Sequence, residues 1–444
     1  MNQNEPQISF REAARFWIKL GFISFGGPAG QIALMQKELV ETRQWIEQDD
    51  FLHALNFCML LPGPEAQQLA TYIGWRLHGI KGGIVAGAFF VIPSIFLLFA
   101  LSYIYAAYGN VPQVSAILDG FKAVVVAIVV EAVLKIAKKA FKNYWHAIIA
   151  ASAFIAIYFL HVPFPLIVVG AAVFGFLIAK FIKSEPPAVA GGFKPELQIT
   201  DNKLQNKSEI SNLKSKIKNQ KPKTKNRFLK LISIFSILWI VPFFTVGFIF
   251  GFENIAAKIY IFFSQAAFVT FGGAYAVLAY VNQSAVSAGW ISSAQAVDGL
   301  ALAETTPGPL IMVLQFIGFM TGWNNSGATN QTSFAIICGL LTTYVTFLPS
   351  FFFIFVGAPY IEKLRHNKNL ASALSGVTAA VVGVILNLAL YFGWTVIFAN
   401  SEVNVFALIL AILSFVALYF LKVDVLLVVI LGGLCGLAKY FLIA

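Results

Sequence analysis

The two halves of the chain repeat the same helix-breaking motifs. Phe25-Gly26-Gly27-Pro28 returns as Phe271-Gly272-Gly273-Ala274, and Pro62-Gly63-Pro64 returns as Pro307-Gly308-Pro309. Further matches are Trp45 with Trp290, Pro93-Ser94 with Pro349-Ser350, and Leu118-Asp119-Gly120 with Leu374-Ser375-Gly376. Proline lacks the N–H that a helix needs, and glycine weakens a helix. Matched breaks within a duplicated apolar unit are typical of membrane transporters.

The composition supports a membrane protein. Hydrophobic residues make up 59% of the chain and charged residues only 11%, whereas soluble domains carry roughly 25% charged residues. Apolar stretches of the roughly 20 residues that cross a bilayer occur in both halves. The polar amino terminus, 1–10, has no apolar core, so no cleavable signal peptide is predicted.

The predicted fold class is an all-α polytopic membrane protein with about 13 transmembrane helices and with broken helices at Gly-Gly-Pro and Pro-Gly-Pro. The expected spans are 13–35, 50–75, 80–106, 113–137, 145–160 and 163–183, then 229–250, then 257–282, 296–320, 332–357, 370–394, 404–421 and 423–442. The domain boundaries that follow are 1–183 for the first repeat, 184–228 for a linker, 229–250 for a connecting helix and 251–444 for the second repeat.

The basic residues predict the orientation. With a cytoplasmic amino terminus, Arg76, Lys81, Lys363 and Arg365 fall on the cytoplasmic side, and the outer loops lack basic residues or are net acidic. The single extra span 229–250 turns the second half over. The duplication would then be an inverted repeat, an architecture that opens one site to either side in turn.

The linker 184–228 concentrates positive charge. It holds ten Lys or Arg against four acidic residues, which gives +6 of the chain's net charge of +11. Its low content of apolar residues predicts a disordered cytoplasmic segment that attracts anionic membrane lipid. A nucleic-acid partner is not predicted, because the charge is explained locally.

The breaks are the predicted substrate site. Irregular backbone at bilayer depth is tolerated where it is buried in protein or lines a cavity. Each break frees the N–H groups of a half-helix, and such ends bind oxyanions; a simple kink is the alternative. The candidate binding residues are Ser24, Gly26, Gly27, Pro28, Pro62, Gly63, Pro64, Gln68, Tyr72, Thr270, Gly272, Gly273, Pro307, Gly308 and Pro309.

Charged residues within the spans are candidates for proton coupling. Glu304 lies at the carboxyl end of a half-helix, where the helix dipole and the loss of water disfavour its charged form. Glu65 lies at a positive helix end, which favours its charged form. Lys122 either supplies positive charge to the substrate or reaches the interface beside Asp119.

Metal and cofactor chemistry is not predicted. Cys58, Cys338 and Cys435 lie in apolar segments without metal-ligand spacing, and the histidines are scattered. The chain has no Gly-x-Ser-x-Gly and no nucleotide-binding loop. An intramembrane enzyme is therefore the least favoured function.

The motifs resemble those of the chromate ion transporter family, of the long, two-domain type. The resemblance is carried by Ser24 to Pro28, by Leu61 to Arg76, by Pro93-Ser94, by Phe271 to Gly273 and by Thr306 to Pro309. It implies a carrier of the bacterial inner membrane that extrudes chromate, with the proton gradient as its energy source. A second copy of the chain, as a homodimer, is a further candidate partner.

The chain departs from exact symmetry, and the substrate stays open. Ala274 stands where the first half has Pro28, Glu65 aligns with Leu310, and Glu304 aligns with Met59. The site is therefore expected to work asymmetrically. Symport of sulfate or another small anion is one alternative to chromate efflux, and a passive anion channel is another.

Overall fold

The computed structural model describes residues 8–181, 224–269, 271, 273–327, 329–361, 368–398 and 402–443, and no strand occurs among them. Most of the predicted linker, 184–223, lies outside the described residues, as do Thr270 and Gly272. The first half contains α1 (Phe10–Ile23), α2 (Gly27–Gln36), which continues as a π-helical turn (Lys37–Thr42), α3 (Gln48–Cys58), α4 (Glu65–Phe89), α5 (Ile92–Tyr108), α6 (Pro112–Ala140), α7 (Tyr144–Tyr158) and α8 (Phe164–Phe181).

The connecting helix and the second half follow the same order. They contain α9 (Thr224–Phe250), α10 (Ile255–Val269), α11 (Ala274–Ser287), α12 (Ser293–Glu304), a 3-10 turn (Leu310–Met312), α13 (Val313–Asn324), α14 (Gln331–Gly357), a 3-10 turn (Ala358–Tyr360), α15 (Lys368–Ile397), α16 (Val405–Tyr419) and α17 (Val425–Ile443). Gly26, Gly273 and both Pro-Gly-Pro motifs stand between helices, and Gly27 is the first residue of α2. The predicted helix breaks are therefore present.

The protein is a multi-pass membrane protein. Among the described residues, five helical segments are long and apolar enough to cross a bilayer: Glu65–Tyr108, Phe228–Phe250, Gln331–Gly357, Asn369–Ile397 and Val425–Leu442. Large apolar side chains face outward, as at Phe96, Phe248 and Leu442, which are 72%, 79% and 85% exposed. Such an apolar surface suits contact with lipid rather than with water.

In the first half the chain turns back at each break. The ring of Trp45 lies 5.2 Å from the ring of Phe16, and Arg76 forms an ion pair with Asp50. A straight helix would hold either pair roughly 40 Å apart. The segments 13–35 and 50–75, predicted as crossings, are therefore hairpins that return to the side on which they began.

The second half repeats these hairpins. The ring of Trp290 lies 5.4 Å from the ring of Phe262, and Asn324 donates a hydrogen bond to Gln295 Oε1 at 3.0 Å. The segments 257–282 and 296–320 therefore also fold back, contrary to the prediction of crossings. Trp45 and Trp290, which matched in sequence, close equivalent hairpins on equivalent phenylalanines.

Helix α4 itself doubles back. His78 and Gly79 leave the helical conformation, with φ of −135° and 64°. The stretch after this turn runs back along the stretch before it, so that Gly82 lies against the carbonyl of Gly74. The returning stretch and α5 together form the first helical segment that is long and apolar enough to cross a bilayer.

Each half packs its long helix against the other half. Helix α6 contacts α16 and α17, and α15 contacts α7 and α8. Gly120 of α6 lies against the backbone of Gly432 and Gly436, while Gly376 of α15 lies against Ala171 and Gly175. Side chains at these glycines would keep the helices apart. The matched Gly120 and Gly376 thus make equivalent contacts in the two halves.

The apolar core is divided into two main clusters. One contains the first-half hairpins, parts of α9 and the end of α14, with Trp17, Phe51 and Phe355 among its members. The other contains the second-half hairpins together with α5 to α8, α15 and α16. The two hairpin pairs, although matched in sequence, therefore lie in different surroundings.

Candidate functional site

The tips of two hairpins meet within the protein. The backbone N–H of Gly308 donates to the carbonyl of Ser24 at 2.7 Å. The side chain of Gln31 donates to the carbonyls of Gly308 and Ser24. Ser24 and Gln31 are 0% and 1% exposed. The breaks Ser24–Gly26 and Pro307–Pro309, which are far apart in sequence, therefore form one buried polar junction.

The Pro-Gly-Pro tips dock on matched serines in a reciprocal manner. Ser94 of α5 donates to the carbonyl of Pro307, and Gly308 contacts Ser94 so closely that a methyl group there would overlap its hydroxyl. In the other half, a methyl group on Gly63 would lie 2.7 Å from the hydroxyl of Ser350. Gly63 and Gly308 have φ angles of 122° and 102°, a backbone conformation that residues with a side chain rarely adopt. Each tip therefore requires glycine.

Several helices begin at the breaks without a side-chain cap. Helix α2 starts after Gly26, α4 after Pro64 and α11 after Gly273, and none of these residues caps its helix through a side chain. By contrast, α12 starts away from the tips with a capping box of Ser292 and Gln295. Free N–H groups at a helix start favour an anion. The tips therefore offer anion-binding capacity.

Glutamine side chains surround the tips. Gln68 donates to the carbonyl of Pro62 at 2.7 Å, and Gln67 donates to Thr71 at 3.2 Å. The Oε1 atoms of Gln31, Gln67 and Gln68 are buried and have no hydrogen-bond partner within the described part of the chain. Buried polar atoms are normally paired. The tips thus retain unused hydrogen-bonding capacity.

Glu304 lies beside a second break and close to α6. Its carboxylate accepts a hydrogen bond from Tyr275 at 2.9 Å, and it is 9% exposed. Glu131 and Lys135 of α6 are its charged neighbours and form an i, i+4 ion pair at 2.6 Å. The candidate proton site therefore combines residues from α6, α11 and α12.

Lys122 contacts acidic side chains. Its Nζ lies 3.0 Å from Asp119 and 3.8 Å from Asp298 of α12. Tyr105 donates to the other oxygen of Asp298 at 2.9 Å, and Asp298 is 2% exposed. The predicted contact with Asp119 is present, and the second, buried partner was not predicted.

Two cavities open near these charged groups. One, of about 420 Å³, is lined by Glu131, Lys135, Lys138 and Lys422. The other, of about 510 Å³, is lined by Asp119 and Lys439. They lie near the Ala140 end and the Pro112 end of α6, respectively.

The remaining candidate residues are placed as follows. Tyr72 packs between Phe57 and Trp75 in the cluster of the first-half hairpins. Glu65 begins α4 and is half-buried, and Pro28 begins α2. No group of three His, Cys, Asp or Glu among the described residues could hold a metal. Sequence reasoning missed the roles of Ser94, Ser350 and Asp298, although the repeated Pro-Ser was a usable signal.

Comparison with known proteins identifies the family. A sequence model of the chromate transporter family matches residues 11–176 and 257–437, one stretch in each half. The chain belongs to the chromate transporter family. It is 28% identical to a chromate transport protein of Pseudomonas aeruginosa, over 97% of this chain and 92% of that protein. A probable chromate transport protein of Synechococcus elongatus is 27% identical, over 87% and 86%.

Further relatives agree with this assignment. A chromate transport protein of Cupriavidus metallidurans is 25% identical, over 98% of this chain and 94% of that protein. No solved structure matches the chain. The chromate transporter family is a family of transporters and not of enzymes, which agrees with the sequence prediction. The two stretches that the family model matches leave out the whole basic segment 184–228 and the connecting helix α9.

Proposed function

We propose that this member of the chromate transporter family is a secondary active transporter that moves chromate-like oxyanions across the bacterial inner membrane in exchange for, or together with, protons. The observation that carries the proposal is the junction of hairpin tips, where Gly308 contacts Ser24 and Ser94. The uncapped helix starts of α2, α4 and α11 supply N–H donors. These donors carry partial positive charge, so they can bind a doubly charged oxyanion although no lysine or arginine neutralises it completely.

Alternating access is supported by the reciprocal contacts between halves. Gly63 docks on Ser350 of the second half, and Gly308 docks on Ser94 of the first half. Such an exchange of contacts is what a two-fold relation between repeats produces. With hairpins as re-entrant segments, four crossings remain in each half: α4–α5, α6, α7 and α8, and then α14, α15, α16 and α17. The connecting helix α9 makes the total odd and inverts the second repeat.

The proton-coupling part of the proposal rests on Glu304. Its carboxylate is buried next to a hairpin tip and hydrogen-bonded by Tyr275. A buried carboxylate in a membrane protein is costly unless it is paired or protonated. The nearest charged pair, Glu131 with Lys135, lines a cavity that reaches the surface at the Ala140 end of α6.

The test is uptake of labelled chromate into proteoliposomes that contain the purified protein. We expect saturable accumulation that requires a pH gradient, and exchange of labelled for unlabelled chromate without a gradient. A matched pair of variants links transport to the tip. Gly308→Ala places a methyl group on Ser94, whereas Gly289→Ala has the same kind of positive φ but open space around it.

Each outcome has a distinct meaning. Loss of transport in Gly308→Ala, with transport retained in Gly289→Ala, supports the tip as the anion site. Sulfate transport without chromate transport would reassign the substrate. Flux that shows no acceleration by unlabelled anion on the opposite side would indicate a channel instead of a carrier.

A further inference from the structure

Helix α12 carries a buried acidic group at two points, and the transport proposal uses only one of them. Glu304 ends the helix at the tip, and Asp298 lies six residues earlier, roughly 9 Å along the axis. Both side chains are buried. Charges in such surroundings are rare unless they serve a function.

The second helix of this arrangement is α6. It carries two acid–lysine pairs, Asp119 with Lys122 and Glu131 with Lys135. Twelve residues separate Asp119 from Glu131, which corresponds to roughly 18 Å along a helix. Asp298 faces the first pair and Glu304 neighbours the second. The acidic groups of α12 thus match the lysines of α6 in order.

Only one of the two carboxyl oxygens of Asp298 accepts a hydrogen bond from the described residues. Tyr105 of α5 donates to Oδ2 at 2.9 Å. Oδ1 has no hydrogen-bond partner among the described residues, since Lys122 Nζ lies 3.8 Å away, beyond hydrogen-bond distance. Oδ1 therefore retains the capacity to bind a proton or to accept a hydrogen bond. The charged or titratable groups that face this carboxyl are Lys122, Asp119 and Tyr105.

Both ends of the arrangement reach the surface. Asp119 is half-exposed and lines the cavity of about 510 Å³ near the Pro112 end of α6. Glu131 lines the cavity of about 420 Å³ near the Ala140 end. A proton from the first cavity can therefore reach Asp119, which shares Lys122 with Asp298. The second cavity contains Glu131, the charged neighbour of Glu304.

We propose that Asp298 is a second proton-binding residue and that its pairing with Lys122 latches α12 onto α6. A proton that binds to Oδ1 neutralises Asp298 and removes its attraction to Lys122, which keeps Asp119 as its counter-ion. Release of the proton restores the attraction. No other bond is made or broken.

The latch is connected to the anion site through the chain. Helix α12 leads directly into Pro307 and Gly308, which hold Ser94 and Ser24. Movement of α12 relative to α6 therefore moves a hairpin tip. Protonation of Asp298 and binding of the anion would each favour one position of α12 relative to α6. Two ligands that bias the same equilibrium are coupled. This inference rests on the proposed transport function.

The test separates exchange from gradient-driven accumulation in proteoliposomes with labelled chromate. Exchange needs no net proton movement, whereas accumulation does. For Asp298→Asn we expect exchange close to that of the wild type and accumulation reduced about tenfold or more, within the usual range of coupling between sites. Asp298→Glu should restore part of the accumulation. The control is Glu253→Gln, which removes the acid of a surface pair with Lys258.

A second readout measures the protons directly. Chromate flux should acidify or alkalinise vesicles that contain a pH-sensitive dye in the wild type, and Asp298→Asn should lose this signal while it still exchanges chromate. Wild-type accumulation in Asp298→Asn would overturn the inference. Loss of exchange as well, in protein that elutes as a folded particle, would also overturn it, because Asp298 would then belong to the anion site or to the fold.

A milder variant decides the matter if Asp298→Asn does not fold. Tyr105→Phe removes only the hydroxyl that donates to Asp298. We expect a shifted pH dependence of accumulation with unchanged exchange, and an unchanged pH dependence would overturn the inference. Absence of both exchange and accumulation in the wild-type protein would instead refute the proposed transport function.

Discussion

The two hairpin pairs come from matched sequences but differ in their surroundings. The first pair, α1 to α4, forms a cluster of its own with α9 and α14. The second pair, α10 to α13, lies within the main core beside α6 and α15. Helix α2 exposes Ala29, Gly30 and Ala33, whereas the matched helix α11 buries Ala276, Val277 and Leu278.

This difference suggests how a symmetric chain produces an asymmetric site. If the two halves exchanged surroundings, the second pair would lose its core contacts and the first pair would gain them. In an inverted-repeat transporter, the two states differ by such an exchange: the helices keep their fold, and each repeat takes over the contacts that the other had. In this structure, helix α2 of the first hairpin pair is more exposed than helix α11 of the second pair.

The acidic groups follow the same division. Glu304 and Asp298 belong to the buried second pair and face α6. The residues that match the acidic pair Glu304 and Glu131 are Met59 and Asn387. The glycine and proline breaks at the hairpin tips are thus duplicated, while the carboxylates of Glu304 and Glu131 are not. We infer that the buried acids used for proton coupling lie in the second hairpin pair, against α6, whereas both hairpin pairs contribute to the anion site.

The largest effect is expected at the two tip glycines. Gly308→Ala should reduce chromate transport about 100-fold, because its methyl group meets the hydroxyl of Ser94 and displaces the tip. Gly63→Ala should cost less, about tenfold, because its methyl group would lie 2.7 Å from the hydroxyl of Ser350, whereas the methyl group at Gly308 would overlap the hydroxyl of Ser94. Initial rates in proteoliposomes measure both. Equal losses of transport in Gly308→Ala and Gly63→Ala would show that the two hairpin tips tolerate a methyl group equally poorly.

A smaller effect is expected from the unequal carboxylates. Glu304→Gln should reduce gradient-driven accumulation about tenfold and leave exchange intact, since coupling between two sites is typically worth this much. Glu65→Gln, at the start of α4, should change accumulation by less than about twofold. Parallel uptake and exchange assays measure the ratio. A larger loss in Glu65→Gln would move proton coupling to the first half.

The matched serines should differ in their contribution to stability. Ser94→Ala removes the donor to the carbonyl of Pro307 and should cost about 1 kcal/mol. Ser350→Ala should cost nothing measurable, because the buried Ser350 hydroxyl has no hydrogen-bond partner among the described residues. The midpoint of thermal unfolding in detergent reports the difference. A lower midpoint for Ser350→Ala than for Ser94→Ala contradicts it.

The smallest functional effect is expected from cysteine labelling of α2 and α11. In a Cys435→Ser background, whose other cysteines, Cys58 and Cys338, are buried, Ala29→Cys should react with a water-soluble thiol reagent. Ala276→Cys should not react, because Ala276 is fully buried. Neither change should affect transport much before labelling. Similar reaction rates would show that the two halves are equally accessible.

The sequence by itself determined the class of the protein and the places where its helices break. Proline and glycine act on the backbone within a few residues, so the breaks at Gly26 and Gly63 could be predicted from local chemistry alone. Composition and the length of apolar stretches indicated a membrane protein. The matched motifs indicated two related halves and the chromate transporter family.

Only the tertiary structure decided which way the chain continues after each break. Two short apolar helices that fold back have the same hydropathy as one long, broken helix, so 13–35 and 50–75 were predicted as crossings. The direction depends on contacts between distant residues, such as Phe16 with Trp45. The pairing of Lys122 with Asp298 likewise joins residues far apart in sequence, and no local pattern specifies which helices will meet.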